Sequence, residues 1–298
     1  MTPFRDHPLF LLLTTGLLLG FYFPLGRLSA DAGIDPLLWA LLISLGPGLL
    51  LAIVSLASDR SMLQVGHLGF ALFSGLLAYV VPNALTFGAL PHVGSGYMSL
   101  MFAFSPVVTA ALSMLLGVRP PNGRLLAGVG LGFAGAVFIA LSRFGLPADA
   151  NGQWHWLAFL VPLSLGIGNV FRTAFWPKGM APLRMAAVTN LVASLPLIVL
   201  LTVWGRDGAV ATALQSPLLL LLQVAISAAM FTVFFRLQWV GGPTYLSQIG
   251  YVAAAVGLLC GVVFLQEVYP PLVWAGAATI AAGVVVSNWP SRRRNSGF

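Results

Sequence analysis

The amino-acid sequence contains one long segment twice. Residues 94–137 align without a gap with residues 242–285, which lie 148 positions further along a chain of 298 residues. Tyrosine, serine and paired glycine positions are identical in this single register. The same shift places residues 9–23 on residues 157–171, where leucine, glycine and phenylalanine positions coincide. A shift of half the chain length that holds at both ends indicates a duplicated unit.

The composition is typical of an integral membrane protein. Hydrophobic residues make up 59% of the chain and charged residues 7%, whereas about a quarter of a soluble domain is charged. Apolar runs that are long enough to cross a ~30 Å hydrocarbon core as helices alternate with short loops. We predict ten spans, at residues 8–28, 36–57, 66–89, 94–116, 122–142, 154–174, 183–204, 216–238, 243–265 and 271–289. The lipid bilayer is therefore the expected surrounding of this chain.

Ten spans and one repeat predict two five-helix halves, residues 1–146 and residues 147–298, joined by the polar segment 143–154. Because five is an odd number, the second half enters the membrane upside down relative to the first. Inverted repeats are typical of secondary transporters, whose substrate site lies near the midplane where the halves meet. The predicted fold is thus an all-α integral membrane protein, with ten transmembrane helices in two inverted five-helix repeats around a central cavity.

The distribution of basic residues predicts the orientation. The side that holds both termini carries 11 of the 14 Lys and Arg residues, and the other side carries 3. We therefore predict that both termini are cytoplasmic. The net charge of +7 then reflects topology and attraction to anionic lipid headgroups, and we predict no nucleic-acid partner.

Polar residues at helical spacing predict the substrate site. In the third span Gly75, Tyr79, Asn83 and Thr86 form one polar stripe on an apolar helix. Such stripes either bond helix to helix or face a wet cavity, because a polar side chain facing lipid is costly. We favour a cavity and predict eight substrate-binding residues: Tyr79, Asn83, Met101, Ser105, Asn169, Phe231, Gln248 and Tyr251. The aromatic rings would supply stacking surface, and the amides and the hydroxyl would supply neutral hydrogen bonds to a zwitterion.

The predicted spans contain few groups that could carry catalysis. No Asp, Glu or Lys lies deep in a predicted span, the four His residues fall at span edges or in loops, and Cys260 is the single cysteine. A membrane enzyme would need an acid, base, nucleophile or metal cluster at membrane depth. We predict no catalytic residue, no metal and no cofactor. For the same reason we predict that transport is not obligatorily coupled to protons or sodium.

Two segments resemble the EamA-type members of the drug/metabolite transporter superfamily. They are SPVVTAALSMLLG at residues 105–117 and VGLLCGVVFLQEVYPPLVWAGAATIAAGVV at residues 256–285, the latter with a Glu before the last helix. Arg119 stands in the first repeat where Glu267 stands in the second, so we assign no shared role to that Glu. The resemblance implies a bacterial inner-membrane exporter with spans one, three, four, six, eight and nine around the cavity. The aromatic-rich interior is also similar to that of YddG-type exporters of aromatic and other amino acids.

The sequence thus favours a secondary transporter that exports a small amphipathic metabolite, foremost an amino acid, by alternating access. Export of cationic or lipophilic drugs is an alternative, although the spans lack the embedded acid of a carboxylate-dependent multidrug site. A non-transporting membrane scaffold or enzyme and a channel are further alternatives. The expected partners are a small-molecule substrate and the lipid bilayer, with no obligate protein partner.

Overall fold

A computed structural model describes most of the chain. It covers residues 7–58, 65–117, 123–142, 152–177, 179–204, 208–246 and 248–288. The regular structure within these ranges is helical throughout. The α-helices are α1 (Pro8–Gly20), α2 (Tyr22–Asp31), α3 (Pro36–Ser58), α4 (Val65–Gly75), α5 (Val81–Val93), α6 (Ser95–Leu115), α7 (Gly123–Leu141), α8 (Gly152–Phe175), α9 (Pro182–Val203), α10 (Ala209–Leu214), α11 (Pro217–Leu246), α12 (Ile249–Val263) and α13 (Pro271–Asn288). A π-helical segment, Leu76–Val80, joins α4 to α5.

Seven helical segments of the described residues are long enough and apolar enough to cross a membrane. They are formed by α1 with α2, α3, α4 with α5, α6, α8, α9 and α11. Shorter apolar stretches lie in α7, α12 and α13, at Leu126–Gly135, Ile249–Val263 and Pro271–Gly283. The prediction of an all-helical membrane protein is confirmed in the described part of the chain, and the number of ten crossings stays a prediction.

Two predicted spans are interrupted. The first is broken at Phe21, between α1 and α2. The third contains the π-helical segment, in which the wider i→i+5 turn changes the direction of the residues that follow. Pro82 comes directly after it, in the first turn of α5, where the missing N–H costs least. The predicted polar stripe is divided in consequence: Gly75 packs against Ala193 of α9, and Thr86 is buried in the bundle.

The boundary between the eighth and ninth predicted spans was wrong. The sequence predicts an eighth span that ends at residue 238 and a ninth that begins at Pro243. Helix α11 instead continues to Leu246, and α12 begins at Ile249. Membrane helices tolerate such prolines when neighbouring groups satisfy the freed backbone carbonyl. Gln248 therefore lies in the turn before α12.

Small residues bring the helices of the two halves together. Helices α7 and α13 pack against each other, and a Cβ added to Gly135 would lie 2.7 Å from the carbonyl oxygen of Gly276. The matching contact joins Gly283 to the carbonyl oxygen of Gly128, also at 2.7 Å. The order of these contacts shows that the two helices are antiparallel. Glycine at these positions thus allows the two helices to approach closely.

Close packing and an interhelical hydrogen bond join other helices of the bundle. Helix α6 packs against α12, and α1 packs against both α11 and α12. Gly16 lies against Val252, and on α8 the Ser164 hydroxyl donates to the carbonyl oxygen of Leu77 at 2.7 Å. Helix α3 lies against α9, and α5 lies against α8.

One group of fully buried large side chains lies at one end of the bundle. Trp39, Leu90, Tyr97 and Met98 are fully buried there, where α3 begins, α5 ends and α6 begins. We call this end the packed end. Large apolar side chains elsewhere point outward, as on α3, where Ile53 is 66% exposed. An apolar outer surface of this kind suits a hydrocarbon environment.

Candidate substrate site

A cavity lies between six of the predicted spans. The space between its walls is about 700 Å³ including the open mouth, of which about 90 Å³ can hold the centre of a water molecule. Its wall is built by α1 with α2, the π-helical segment with α5, α6, α8, α11 and α12. These are the six spans that the family resemblance implied. Helices α7 and α13 pack together and contribute no residue to the described cavity wall.

Five of the eight predicted site residues line this cavity. They are Tyr79, Asn83, Ser105, Asn169 and Phe231. They lie in the third, fourth, sixth and eighth predicted spans, which are far apart in the sequence. The packing of the helices brings them together.

The other three predicted site residues lie outside the cavity wall. Met101 is 0% exposed and packs in the core on α6. Gln248 lies in the turn before α12, and Tyr251 is partly buried against the core one turn into that helix. Because α12 starts later than predicted, Ile249 and Gly250 occupy the cavity wall instead. Substrate binding stays a prediction for all eight residues.

Among the cavity residues that the sequence did not predict, Arg172 is charged. It is 2% exposed and lines the cavity near the end of α8. Its Nη1 donates to the Tyr79 hydroxyl at 3.0 Å, and its Nη2 donates to Oδ1 of Asn169 at 2.6 Å. The guanidinium carbon lies 5.1 Å from the ring centre of Phe234 and 5.6 Å from that of Tyr79. The cavity therefore holds a buried, permanently charged group.

No carboxylate of the described residues lies within ion-pair distance of this guanidinium. Its Nε, moreover, has no hydrogen-bond partner among them. A desolvated cation is costly unless hydrogen bonds or an opposite charge compensate for the lost water. The neutral bonds to Tyr79 and Asn169, with the two aromatic faces, supply part of that compensation.

The sequence contained a signal for Arg172. The topology count placed it among the cytoplasmic basic residues, although it falls within the predicted span 154–174. Asn169 was recognised as a site residue, and Arg172 follows it by three positions, on the same face of a helix. The assignment of Asn169 to the cavity could therefore have been extended to Arg172, which lies about one turn further along the same helix face.

Two further contacts hold the polar wall in place. Nδ2 of Asn169 donates to Oγ1 of Thr109 at 3.3 Å, which joins α8 to α6. The Tyr79 ring meets the Phe231 ring edge to face, with ring centres 5.1 Å apart. The Tyr79 hydroxyl is thus fixed by a cation and its ring by a second aromatic side chain.

A second, polar pocket lies at the packed end, around Glu267. This carboxylate accepts hydrogen bonds from the Ser95 N–H at 2.9 Å, the Ser95 hydroxyl at 2.7 Å and the Gly96 N–H at 3.2 Å. The Tyr269 hydroxyl also donates to it. These N–H groups begin α6, and Gly94 before them has φ of 85°. Glu267 therefore caps α6 from the α12–α13 connection, a role that the sequence did not indicate.

The fold and the cavity define a polytopic α-helical membrane protein with an internal cavity. Residues 8–141 match the model of the EamA-like transporter family. The predicted resemblance to EamA-type members of the drug/metabolite transporter superfamily is thereby confirmed, and the match supports a membrane transporter.

Similar proteins agree with this classification. The uncharacterized transporter YvbV of Bacillus subtilis is 24% identical over 93% of this chain and 90% of its own length. RarD of Streptomyces exfoliatus is 24% identical over 65% of this chain, and a WAT1-related chloroplastic protein of Arabidopsis thaliana is 24% identical over 82%. The chain spans only 59% and 60% of the lengths of these last two relatives.

A solved structure shares the fold. A crystal structure of another protein superimposes with a TM-score of 0.63, and the match covers 96% of this chain and 98% of that one. The two sequences are 17% identical, so the likeness concerns the fold alone.

Proposed function

We propose that this protein is a secondary transporter that exports small amphipathic metabolites, foremost amino acids, across a bacterial inner membrane by alternating access. The observation that carries this proposal is the cavity itself, whose lining combines aromatic with polar side chains. The aromatic side chains include Tyr22, Phe102 and Phe234, and the neutral polar ones include Asn83 and Ser105. A solute with an apolar side chain and a polar head matches such a lining.

The packing of the helices supports two inverted repeats, residues 1–146 and 147–298. If the halves are exchanged, the contact of Gly135 with Gly276 becomes that of Gly283 with Gly128, and both distances are 2.7 Å. The pairs α6 with α12, α7 with α13 and α3 with α9 likewise map onto themselves. Such a pseudo-two-fold arrangement permits rocking of one half against the other around a central site.

The position of the cavity supports alternating access. Asn169 and Arg172 lie near the end of α8, and Gly250 lies in the first turn of α12, so the cavity is displaced from the packed end. With cytoplasmic termini, as the basic residues predict, the packed end faces outward. The cavity then has the position expected for loading a substrate from the cytoplasm.

The cavity disfavours cationic drugs as the substrate class. Arg172 is the charged member of the described cavity wall, and a like charge in a desolvated site is repelled. Measurements of solute flux distinguish a channel and a scaffold from a transporter. A channel does not show counterflow, and a scaffold moves no solute.

The test is counterflow into proteoliposomes that hold the purified full-length chain. Labelled leucine, phenylalanine and a lipophilic cation are offered outside vesicles loaded with the unlabelled compound, with protein-free vesicles as the control. We expect saturable counterflow of at least one amino acid and none of the cation. Flux of neither amino acid, or flux that does not saturate, would contradict the proposal.

A further inference from the structure

We propose that Arg172 binds the carboxylate of the transported solute, so that the transporter selects amphipathic carboxylates and rejects the corresponding amines. This inference rests on the proposed function and names the substrate class of the same cavity. The Arg172 guanidinium has no oppositely charged partner among the described residues. The guanidinium is buried in the cavity wall, and the described residues offer it only neutral hydrogen-bond partners.

The hydrogen bonds of Arg172 leave binding capacity for an anion. A guanidinium has five N–H donors. One bond from Nη1 reaches Tyr79, one from Nη2 reaches Asn169, and Nε has no partner in the described structure. A carboxylate can accept two parallel bonds from a guanidinium edge. The same ligand would neutralise the buried charge.

The surroundings of Arg172 define the rest of the ligand. The rings of Tyr79 and Phe234 lie beside the guanidinium, and Phe231 packs against Tyr79 in the same cavity. They offer an apolar surface for a side chain attached close to the carboxylate. Asn83 and Ser105 carry oxygen atoms that can accept hydrogen bonds from an ammonium group. The cavity thus suits an apolar amino acid or a related monocarboxylate.

The orientation of Arg172 is fixed before a ligand arrives. Asn169, which accepts from Nη2, is itself bonded to Thr109 of α6, and Tyr79 is held against Phe231. Three segments, α6, α8 and the π-helical turn, therefore position one guanidinium. An arginine that is held in this way loses little conformational freedom on binding, which favours recognition of a planar anion.

An alternative role for Arg172 is purely structural, as a bridge between α8 and the π-helical turn. The two roles differ in what they predict for solutes. A structural bridge makes no distinction between an acid and an amine of the same shape. An anion site prefers the acid strongly.

The experiment compares matched solutes on the unaltered protein. Phenylalanine, 3-phenylpropionate and phenethylamine share the aromatic body and differ in their charged groups. Each competes with labelled phenylalanine or leucine in counterflow, and each is added to purified protein in a thermal-shift measurement. We expect phenethylamine to be weaker than 3-phenylpropionate by about tenfold or more, because bonds to charged groups are the strong ones.

Variants of Arg172 provide the second measurement. Arg172→Gln should abolish the preference for the acid over the amine, and Arg172→Lys should retain part of it because the charge remains but the planar fork is lost. The matched control is Arg27→Gln, which removes an arginine that is paired with Asp31 outside the cavity. It should keep the wild-type preference.

The outcomes separate this inference from the proposed function. If amino acids show counterflow but phenethylamine competes as well as 3-phenylpropionate, the assignment of Arg172 is overturned and the transporter proposal stands. An unchanged preference in a folded Arg172→Gln protein would overturn it as well. If no amino acid shows counterflow, the proposed function fails, and this inference fails with it. The solute comparison uses the wild-type protein, so it remains decisive even if Arg172→Gln does not fold.

Discussion

Arg172 donates a hydrogen bond of 3.0 Å to the hydroxyl of Tyr79, 93 positions earlier in the sequence. This bond joins the end of α8 to the π-helical turn that interrupts the third predicted span. It also crosses from one predicted repeat to the other. A movement of one half against the other would change the position of the Arg172 guanidinium relative to Tyr79. The proposed motion would therefore alter the proposed site.

Replacement of Tyr79 by phenylalanine tests this bond. Tyr79→Phe keeps the ring contact with Phe231 and leaves Nη1 of the buried guanidinium without its partner. We expect a loss of stability of about 1–3 kcal/mol, measured by thermal unfolding in detergent, together with weaker substrate binding. Thr232→Val, which removes an exposed intrahelical hydrogen bond on α11, should have almost no effect. Equal effects of the two variants would contradict the account.

The cavity wall predicts different results for Asn83 and Gln248. Asn83 lines the cavity, whereas Gln248 lies in the turn before α12 and outside the wall. Asn83→Leu should lower the rate of counterflow by about tenfold. The substrate would lose its proposed hydrogen bond to Asn83, and its polar group would be left unsatisfied in the cavity. Gln248→Leu should lower it by much less. If both variants fold and both lose counterflow to a similar large extent, the site includes Gln248, as the sequence alone predicted.

Glu267 should stabilise the packed end through α6. Glu267→Ala removes the acceptor for the N–H groups of Ser95 and Gly96, and caps of this kind contribute about 0.5–2 kcal/mol. Glu267→Gln retains one acceptor oxygen and should cost less. Thermal unfolding of the two purified variants measures the difference. If Glu267→Ala is as stable as the wild type, the carboxylate does not serve as a cap.

The two glycine contacts between α7 and α13 should be equivalent. Gly135→Ala and Gly283→Ala each place a Cβ 2.7 Å from a carbonyl oxygen of the facing helix, and overpacking of this kind costs about 1–3 kcal/mol. We expect losses of similar size in thermal unfolding, as the proposed symmetry requires. Gly130→Ala is the control, since a Cβ there meets no atom within 4 Å. A loss in only one of the paired variants would argue against the symmetry.

Much of the fold could be predicted from the sequence, because apolar length and periodicity determine where membrane helices form. Local deviations were not predictable in the same way. The π-helical turn Leu76–Val80 has the same apolar composition as its neighbours, so composition gives no sign of it. The continuation of α11 through Pro243 depends on how neighbouring groups satisfy the backbone, and that is a tertiary property.

The site was predictable only in part, for related reasons. Tyr79 and Asn83 were found because polar residues on an apolar helix are conspicuous. Arg172 was missed because a basic residue near a span end was counted as a loop charge, and its partners became visible only in the packed bundle. The partner of Glu267 lies 172 positions away, a distance at which sequence spacing carries no information about contact.

The most direct test of the account is counterflow of a labelled amino acid without any ion gradient. Proteoliposomes loaded with unlabelled leucine or phenylalanine are diluted into the labelled compound, with equal pH and sodium concentration on both sides. We predict saturable accumulation of label that depends on the internal amino acid, and no uphill transport when a pH or sodium gradient is imposed alone. Uphill accumulation driven by either ion gradient would contradict the uncoupled mechanism, and an absence of counterflow for every amino acid would contradict the proposed exporter itself.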